Sequence, residues 1–263
     1  MHNISEALKD LIQSLKSYPL WTLLGWLQIR QRYSRSKIGP FWLTISMGIL
    51  VATMGIVYGA LFGQNLKDYL PMISISIVLW GLFSGIINEG CSAYIESANY
   101  IRQIHTPIQI YVLQVVWRNI IIFIHNFVIV LIVFLIFGLK DWATLPYFIP
   151  GLILFLLNAI WIALVISVVA ARFRDFPQVI SALMQVAFYV TPILFQGNML
   201  GKDHYWIVEY NPLAYLVDVA RQPLLGEVPE PHTWIIALAM VSLGWFLALI
   251  ITGRYCRKVS LWV

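Results

Sequence analysis

IQIYVLQVVWRNIIIFIHNFVIVLIVFLIFG, residues 108–138, decides the fold. A helix rises about 1.5 Å per residue and the bilayer hydrocarbon is about 30 Å thick, so roughly 20 apolar residues cross it. This run exceeds that length and carries one charged residue, Arg118. Five further runs, at about 41–62, 70–91, 147–171, 178–197 and 233–253, are also long and apolar enough. Together they predict an all-α integral membrane protein with six transmembrane helices, because only internally hydrogen-bonded helices satisfy the backbone in lipid. Residues 1–40 precede the first span, and 41–263 form the transmembrane domain, with one long connection, 198–232, before the last span. A soluble catalytic domain of ordinary size has no room.

Composition agrees. The chain is 60% hydrophobic and 11% charged, with a mean hydropathy of +0.79, far from a soluble domain. Its basic balance reports orientation rather than nucleic acid, since cytoplasmic flanks retain Lys and Arg. Lys9, Lys16, Arg30, Arg32, Arg35 and Lys37 precede the first span, Arg102 follows the second, and Arg172 and Arg174 follow the fourth. Arg254, Arg257 and Lys258 follow the sixth, leaving Lys67, Lys140, Lys202 and Arg221 for the other side. Both termini are expected in the cytoplasm. The 198–232 connection is acidic, with Asp203, Glu209, Asp218, Glu227 and Glu230 against Lys202 and Arg221. Cys91 and Cys256 are expected as reduced thiols at the cytoplasmic ends of spans.

Residues 4–16 place Ile4, Leu8, Leu11, Ile12 and Leu15 on one helical face, and 20–33 repeat the device with Leu20, Leu23, Leu24 and Leu27 beside Trp21 and Trp26. At about 14 residues the second is too short to span. Tryptophans and a basic end at Arg30, Arg32 and Arg35 suit a helix in the headgroup layer. It is either a surface anchor or a collar where arginines meet phosphates. In the first span Gly48, Ala52, Gly55 and Gly59 form a small-residue stripe, for close packing or a thin channel wall. Residues 91–107 read as a short amphipathic cytoplasmic helix, a docking element for a soluble partner or a solvated turn.

Arg118, Asn119, His125 and Asn126 share one face of the third span and turn toward protein or water, because charge at that depth is costly. Glu89 is the candidate partner of Arg118, in a structural pair or a polar substrate contact. There is no His-Glu-x-x-His, Gly-x-Ser-x-Gly or Cys-x-x-Cys, and no Gly-x-x-x-x-Gly-Lys-[Ser/Thr] phosphate loop. Hydrolytic, metal and nucleotide sites are therefore not expected on this chain. Outside, Tyr205, Trp206 and Tyr210 form either an interfacial belt or flat surfaces for sugar rings, next to a short amphipathic or re-entrant helix.

Arg32-Tyr33-Ser34-Arg35-Ser36-Lys37-Ile38-Gly39-Pro40-Phe41-Trp42 resembles the R-Y-x-R-S-x-L-G-x-x-W signature of polysaccharide ABC exporter permeases, with Ile38 in place of Leu. Asn88-Glu89-Gly90, Phe173-Arg174-Asp175, Thr191-Pro192-Ile193 and Tyr210-Asn211-Pro212 follow in the same order. The whole chain is similar to O-antigen (Wzm-type) permeases, the membrane subunits of type-2 ABC transporters related to capsule and teichoic-acid exporters.

The resemblance implies interfacial amino-terminal helices, a gate helix over about 20–35, a coupling helix over about 94–104 and external re-entrant helices, in a homodimer. Arg30, Arg32, Tyr33, Arg35, Gly39 and Trp42 would meet the lipid diphosphate at the gate. Tyr94, Glu96, Tyr100, Arg102 and Gln103 would contact the ATPase, while Tyr58, Phe62, Phe188 and Phe195 would line the channel. ATP and Mg would sit on that separate ABC ATPase subunit, with no cofactor on this chain. The expected substrate is a polyprenyl-diphosphate-linked polysaccharide, for lipopolysaccharide biosynthesis at the bacterial inner membrane. Capsule or teichoic-acid export and a drug or small-lipid exporter of the same fold stay open. An ion-coupled secondary transporter would need more mid-membrane titratable groups than Glu89 and His125, and a glycosyltransferase would need acidic clusters.

Overall fold

The computed structural model describes residues 4–34, 38–39, 41–103 and 106–263, and of residues 4, 6, 198, 202 and 257 the backbone alone. All regular structure among them is helical: α1 (Ile4–Lys16), α2 (Tyr18–Tyr33), α3 (Phe41–Leu61), α4 (Leu66–Glu96), α5 (Ala98–Gln103) and α6 (Gln109–Phe137). There follow α7 (Phe148–Arg172), α8 (Phe176–Val190), α9 (Gly201–His204), α10 (Trp206–Glu209), α11 (Pro212–Arg221) and α12 (Pro231–Trp262), with short 3-10 turns between some of them.

Among the described residues five helical segments are long and apolar enough to cross a membrane: Phe41–Leu61, Leu66–Glu96, Gln109–Phe137, Leu145–Arg172 and Pro231–Cys256. The run expected over 178–197 differs. Its helix stops at Val190, because a residue before proline is pushed out of the helical region, and Thr191 ahead of Pro192 sits at ψ 140°. The helix α8 has 15 residues, about 22 Å at helical rise.

The central helix is α4. Its most apolar stretch is 78% buried, against 11% for α3, and it packs on α3, α6, α7 and α8. Asn65 starts it by accepting from the Lys67 amide at 3.0 Å, a side-chain N-cap. Two of the small residues of α3 turn toward this helix, where a Cβ on Gly55 would lie 2.0 Å from Leu70 Cδ1 and one on Gly59 3.4 Å from Tyr69 Cδ1, while Gly48 faces Ile129 of α6 and Ala52 is exposed. The glycine stripe is thus a packing surface within the chain. Ile45, Ile49, Ile56 and Val57 on α3 are exposed.

α11 is wedged among α4, α7 and α12. Asn211 caps it, accepting from the Leu213 amide at 2.9 Å, while its Nδ2 donates to Thr191 Oγ1 at 3.0 Å. Tyr69 Oη donates to the Leu194 carbonyl at 2.6 Å. The non-helical segment after α8 is therefore held by α4 and α11. At the other end of the bundle, the basic end, α1 packs on α12 and α6, and α2 on α6. α12 runs nine residues beyond its expected limit of 253, to Trp262.

Candidate functional site

Charge converges at the basic end around one carboxylate. Glu89, near the end of α4, accepts through Oε2 from Arg118 Nη2 at 2.9 Å, Arg118 Nε at 3.2 Å and Asn119 Nδ2 at 2.7 Å. Its Oε1 faces Arg32 Nη2 of α2 at 3.6 Å. Arg118 Nη1 donates to Gln28 Oε1, also on α2. Three helices thus meet through five side chains, with exposure graded outward: the side chain of Arg118 is 7% exposed, Glu89 29% and Arg32 52%. The buried arginine is neutralised, as its depth demands, while Arg32 keeps an outward-facing guanidinium.

The sequence places these groups by helical period. Gln28 and Arg32 are four apart on α2, one turn along the same face, and Arg118 and Asn119 are adjacent on α6. Gly25 lets α2 lie flush on α6, since a Cβ there would be 3.0 Å from the Gln114 carbonyl. Trp21 meets Trp117 edge to face at 6.0 Å, and Ile29 is 3% exposed. Gly85 leaves room for Asn119, whose Oδ1 would be 2.2 Å from a Cβ there. Gly85→Ala is expected to push Asn119 off Glu89 at about 1–3 kcal/mol, lowering the thermal midpoint by several degrees; an unchanged midpoint would refute the arrangement.

His125 and Asn126 lie two turns further along α6, apart from the cluster. His125 Nδ1 is 2.8 Å from the Ile121 carbonyl of its own helix, and its carbonyl accepts from Thr44 Oγ1 at 3.0 Å. Asn126 is 7% exposed. Of the other gate residues, Arg30 is exposed, Tyr33 half-buried and Trp42 exposed, and Gly39 adopts φ 63°. Arg35 lies outside the described residues, as do Ile104 and His105 beyond α5.

The segment expected as a coupling helix over 94–104 is divided. Tyr94 and Glu96 are on the last turns of α4, which Ser97 ends at φ −94°, ψ 10°, and only Ala98–Gln103 form the separate helix α5. Tyr94 is fully buried, so its side chain is withheld from any partner, whereas Tyr100 is 59% exposed. Glu96 and Gln103 are exposed. Arg102 Nε donates to the Val263 carbonyl at 2.9 Å, and Arg174 Nη2 to the Trp262 carbonyl at 3.3 Å. Arg172 stands 5.8 Å over the Trp262 ring.

Within one chain the expected channel aromatics lie in two groups. Tyr58 and Phe62 adjoin at 5.8 Å, with Phe62 6.4 Å from Tyr69, while Phe188 lies 5.9 Å from Trp80. Phe195 is half-buried in the segment after α8. Tyr205, Trp206 and Tyr210 at the far end are 49%, 57% and 79% exposed. Nearby, Tyr215 Oη donates to the Glu209 carbonyl at 2.7 Å. Burial, with Glu209, Tyr205 and Asp218 adding to it, raises this phenol above its ordinary range, so it stays a donor.

Sequence reasoning missed Gln28, a neutral residue whose signal was its one-turn spacing from Arg32. It also missed Arg221 as a buried group. Arg221 is 7% exposed, donating to Ser76 Oγ at 3.0 Å, to the Pro192 carbonyl and to the Asp218 carboxylate.

Residues 19–225 match the family model described as ABC-2 type transporter. The O-antigen export system permease protein RfbA of Klebsiella pneumoniae is 20% identical over 193 residues, 72% of this chain and 73% of that protein. RfbA of Myxococcus xanthus is 22% identical over 223 residues, 82% and 84% of the two chains. The polysialic acid transport protein KpsM of Escherichia coli is 22% identical over 219 residues, 77% and 80%.

Proposed function

Since this chain belongs to the ABC-2 type transporter family, as a multi-pass membrane subunit with a polysaccharide export permease role, we propose that it moves a polyprenyl-diphosphate-linked, O-antigen-like glycan across the bacterial inner membrane. Its relatives' names as O-antigen and polysialic acid exporters support the polymer class. The observation that carries the reading is the site on α2: a helix too short to span, latched to the bundle by Gln28 and Arg32, with a half-exposed guanidinium facing out. Diphosphate recognition needs such a cation at the headgroup level, because charge-assisted hydrogen bonds to phosphate are among the strong ones. Arg30, on the same helix, extends the basic collar, and Arg35 follows that helix in the sequence.

In this reading two copies enclose the path and a separate ABC ATPase docks beneath α5, supplying ATP and Mg. The exposed Tyr100 and Gln103 suit that contact. The basic end is cytoplasmic, with both termini there. Packing of α1 on α12 supports an even number of crossings, and α8 with the segment held by α11 completes the sixth. Residues 1–40 act as the interfacial unit and 41–263 as the conduit.

The test is reconstitution with the ATPase in vesicles, following ATP-dependent appearance of lipid-linked glycan on the far side. Full-rate transport without the ATPase, driven by an ion gradient, would defeat the proposal. Arg32→Gln with Arg35→Gln should spare assembly yet cut export at least about tenfold, since each charged contact to phosphate contributes about 1.5–3 kcal/mol. Normal export by that double variant, measured as surface glycan per assembled complex, would remove the diphosphate role.

A further inference from the structure

Two adjoining cavities open at the end of the bundle away from the Glu89 cluster. One, of about 320 Å³, is lined by Gln196, Tyr205, Asp218, Arg221, Gln222 and Glu227 among others. The other, of about 140 Å³, shares Tyr205, Asp218 and Gln222 and adds Glu209, Tyr215, Glu230 and His232. Together they reach the size of small-molecule sites. We propose that they form a glycan subsite on the exit side, built for uncharged sugar units and against acidic ones. This rests on the export reading above and narrows its substrate.

The lining chemistry supports both halves. The Tyr205 ring, half-exposed and shared by the two cavities, offers a flat apolar face with a polar edge to a sugar ring. Carboxylates only accept hydrogen bonds, and a sugar presents a ring of hydroxyl donors. Glu209 and Glu227 form no ion pair among the described residues, and Gln222 adds an amide that both donates and accepts.

Cationic help for an anion is absent from the described lining. Arg221 is the arginine there, and its two terminal nitrogens are engaged by Ser76, the Pro192 carbonyl and Asp218. His232 Nδ1 is 2.9 Å from Glu230. A carboxylated or phosphorylated sugar entering would meet Glu209 and Glu227, with no unengaged arginine among the described lining residues to hold it.

The experiment uses the purified full chain in nanodiscs, with a mannose pentasaccharide and a sialic acid pentasaccharide as probes, read by saturation-transfer NMR titration. The neutral probe should bind at least about tenfold more tightly, the discrimination that two like-charge pairs give in water. Tyr205→Ala should weaken it about fivefold or more, and Glu227→Lys should bring the acidic probe up toward it, with thermal midpoints confirming that both variants fold. Tighter or equal binding of the acidic probe, binding of neither, or neutral binding unaffected by Tyr205→Ala would overturn the proposal. Export in cells is scored in parallel. Lipid-linked polymer still exported while the probes fail sinks the subsite and spares the export reading; no export of any lipid-linked polymer sinks that reading itself.

Discussion

Glu89→Ala should be the most damaging single substitution in this chain. It leaves Arg118, 7% exposed, with Gln28 as its remaining side-chain acceptor and without its ion-paired carboxylate, and breaking a buried pair by removing one partner costs about 3–5 kcal/mol. For a chain of this size that corresponds to a fall on the order of 10 °C in the thermal midpoint, measurable on detergent-purified protein. Asn119 loses one of its two acceptors at the same time, keeping the Val115 carbonyl at 3.0 Å, and Arg32 loses the carboxylate that tethers α2. Glu89→Gln keeps an acceptor without the charge and should fall between. Glu89→Gln combined with Arg118→Met removes both charges and should be milder than Glu89→Ala alone, because no unpaired ion remains buried. A loss below about 1 kcal/mol in Glu89→Ala would place the pair among weak surface bridges and dissolve the three-helix junction.

Gly151→Ala is expected to dislodge α11. A Cβ at Gly151 would stand 2.2 Å from the Val219 carbonyl oxygen, 2.9 Å from its carbon and 3.3 Å from Ala220 Cα. These are backbone atoms, which have no rotamer to escape into, so α7 and α11 must separate. Overpacking of this kind typically costs about 1–3 kcal/mol, and the upper end applies where a main chain has to move. Separation would pull Arg221 away from Ser76 and the Pro192 carbonyl, exposing more of that segment to proteolysis. Gly81→Ala is the control: a Cβ there meets only Met47 Cε at 3.9 Å. Equal midpoints and equal protease sensitivity for the two variants would show that α11 is not seated as described.

The spans of α3, α4, α6, α7 and α12 were legible in the residues because lipid demands long apolar runs, and length with composition reads them directly. Boundaries were less so. Hydropathy continues through Ile193, Leu194 and Phe195, yet Pro192 had already ended α8, a local steric veto that an apolar window does not see. Glu89 is legible in the sequence as a candidate partner of Arg118 because a charge at that depth has few partners. Gln28 escaped since a neutral amide carries no such demand. Helical period grouped His125 and Asn126 with Arg118, but seven residues are about 10.5 Å of rise, too far to share one carboxylate. Residues 91–107 read as one short amphipathic helix, and Ser97 divides them, leaving Tyr94 inside.

The contacts at Val263 and Trp262 have a mechanical corollary. Arg102 of α5 and Arg174 of the corner after α7 both grip the last turn of α12 through main-chain oxygens. Helices are stiff along their axes, so any thrust delivered to α5 would not be absorbed locally: the yoke formed by these two arginines would divide it between the longest rod of the bundle and the corner leading into α8.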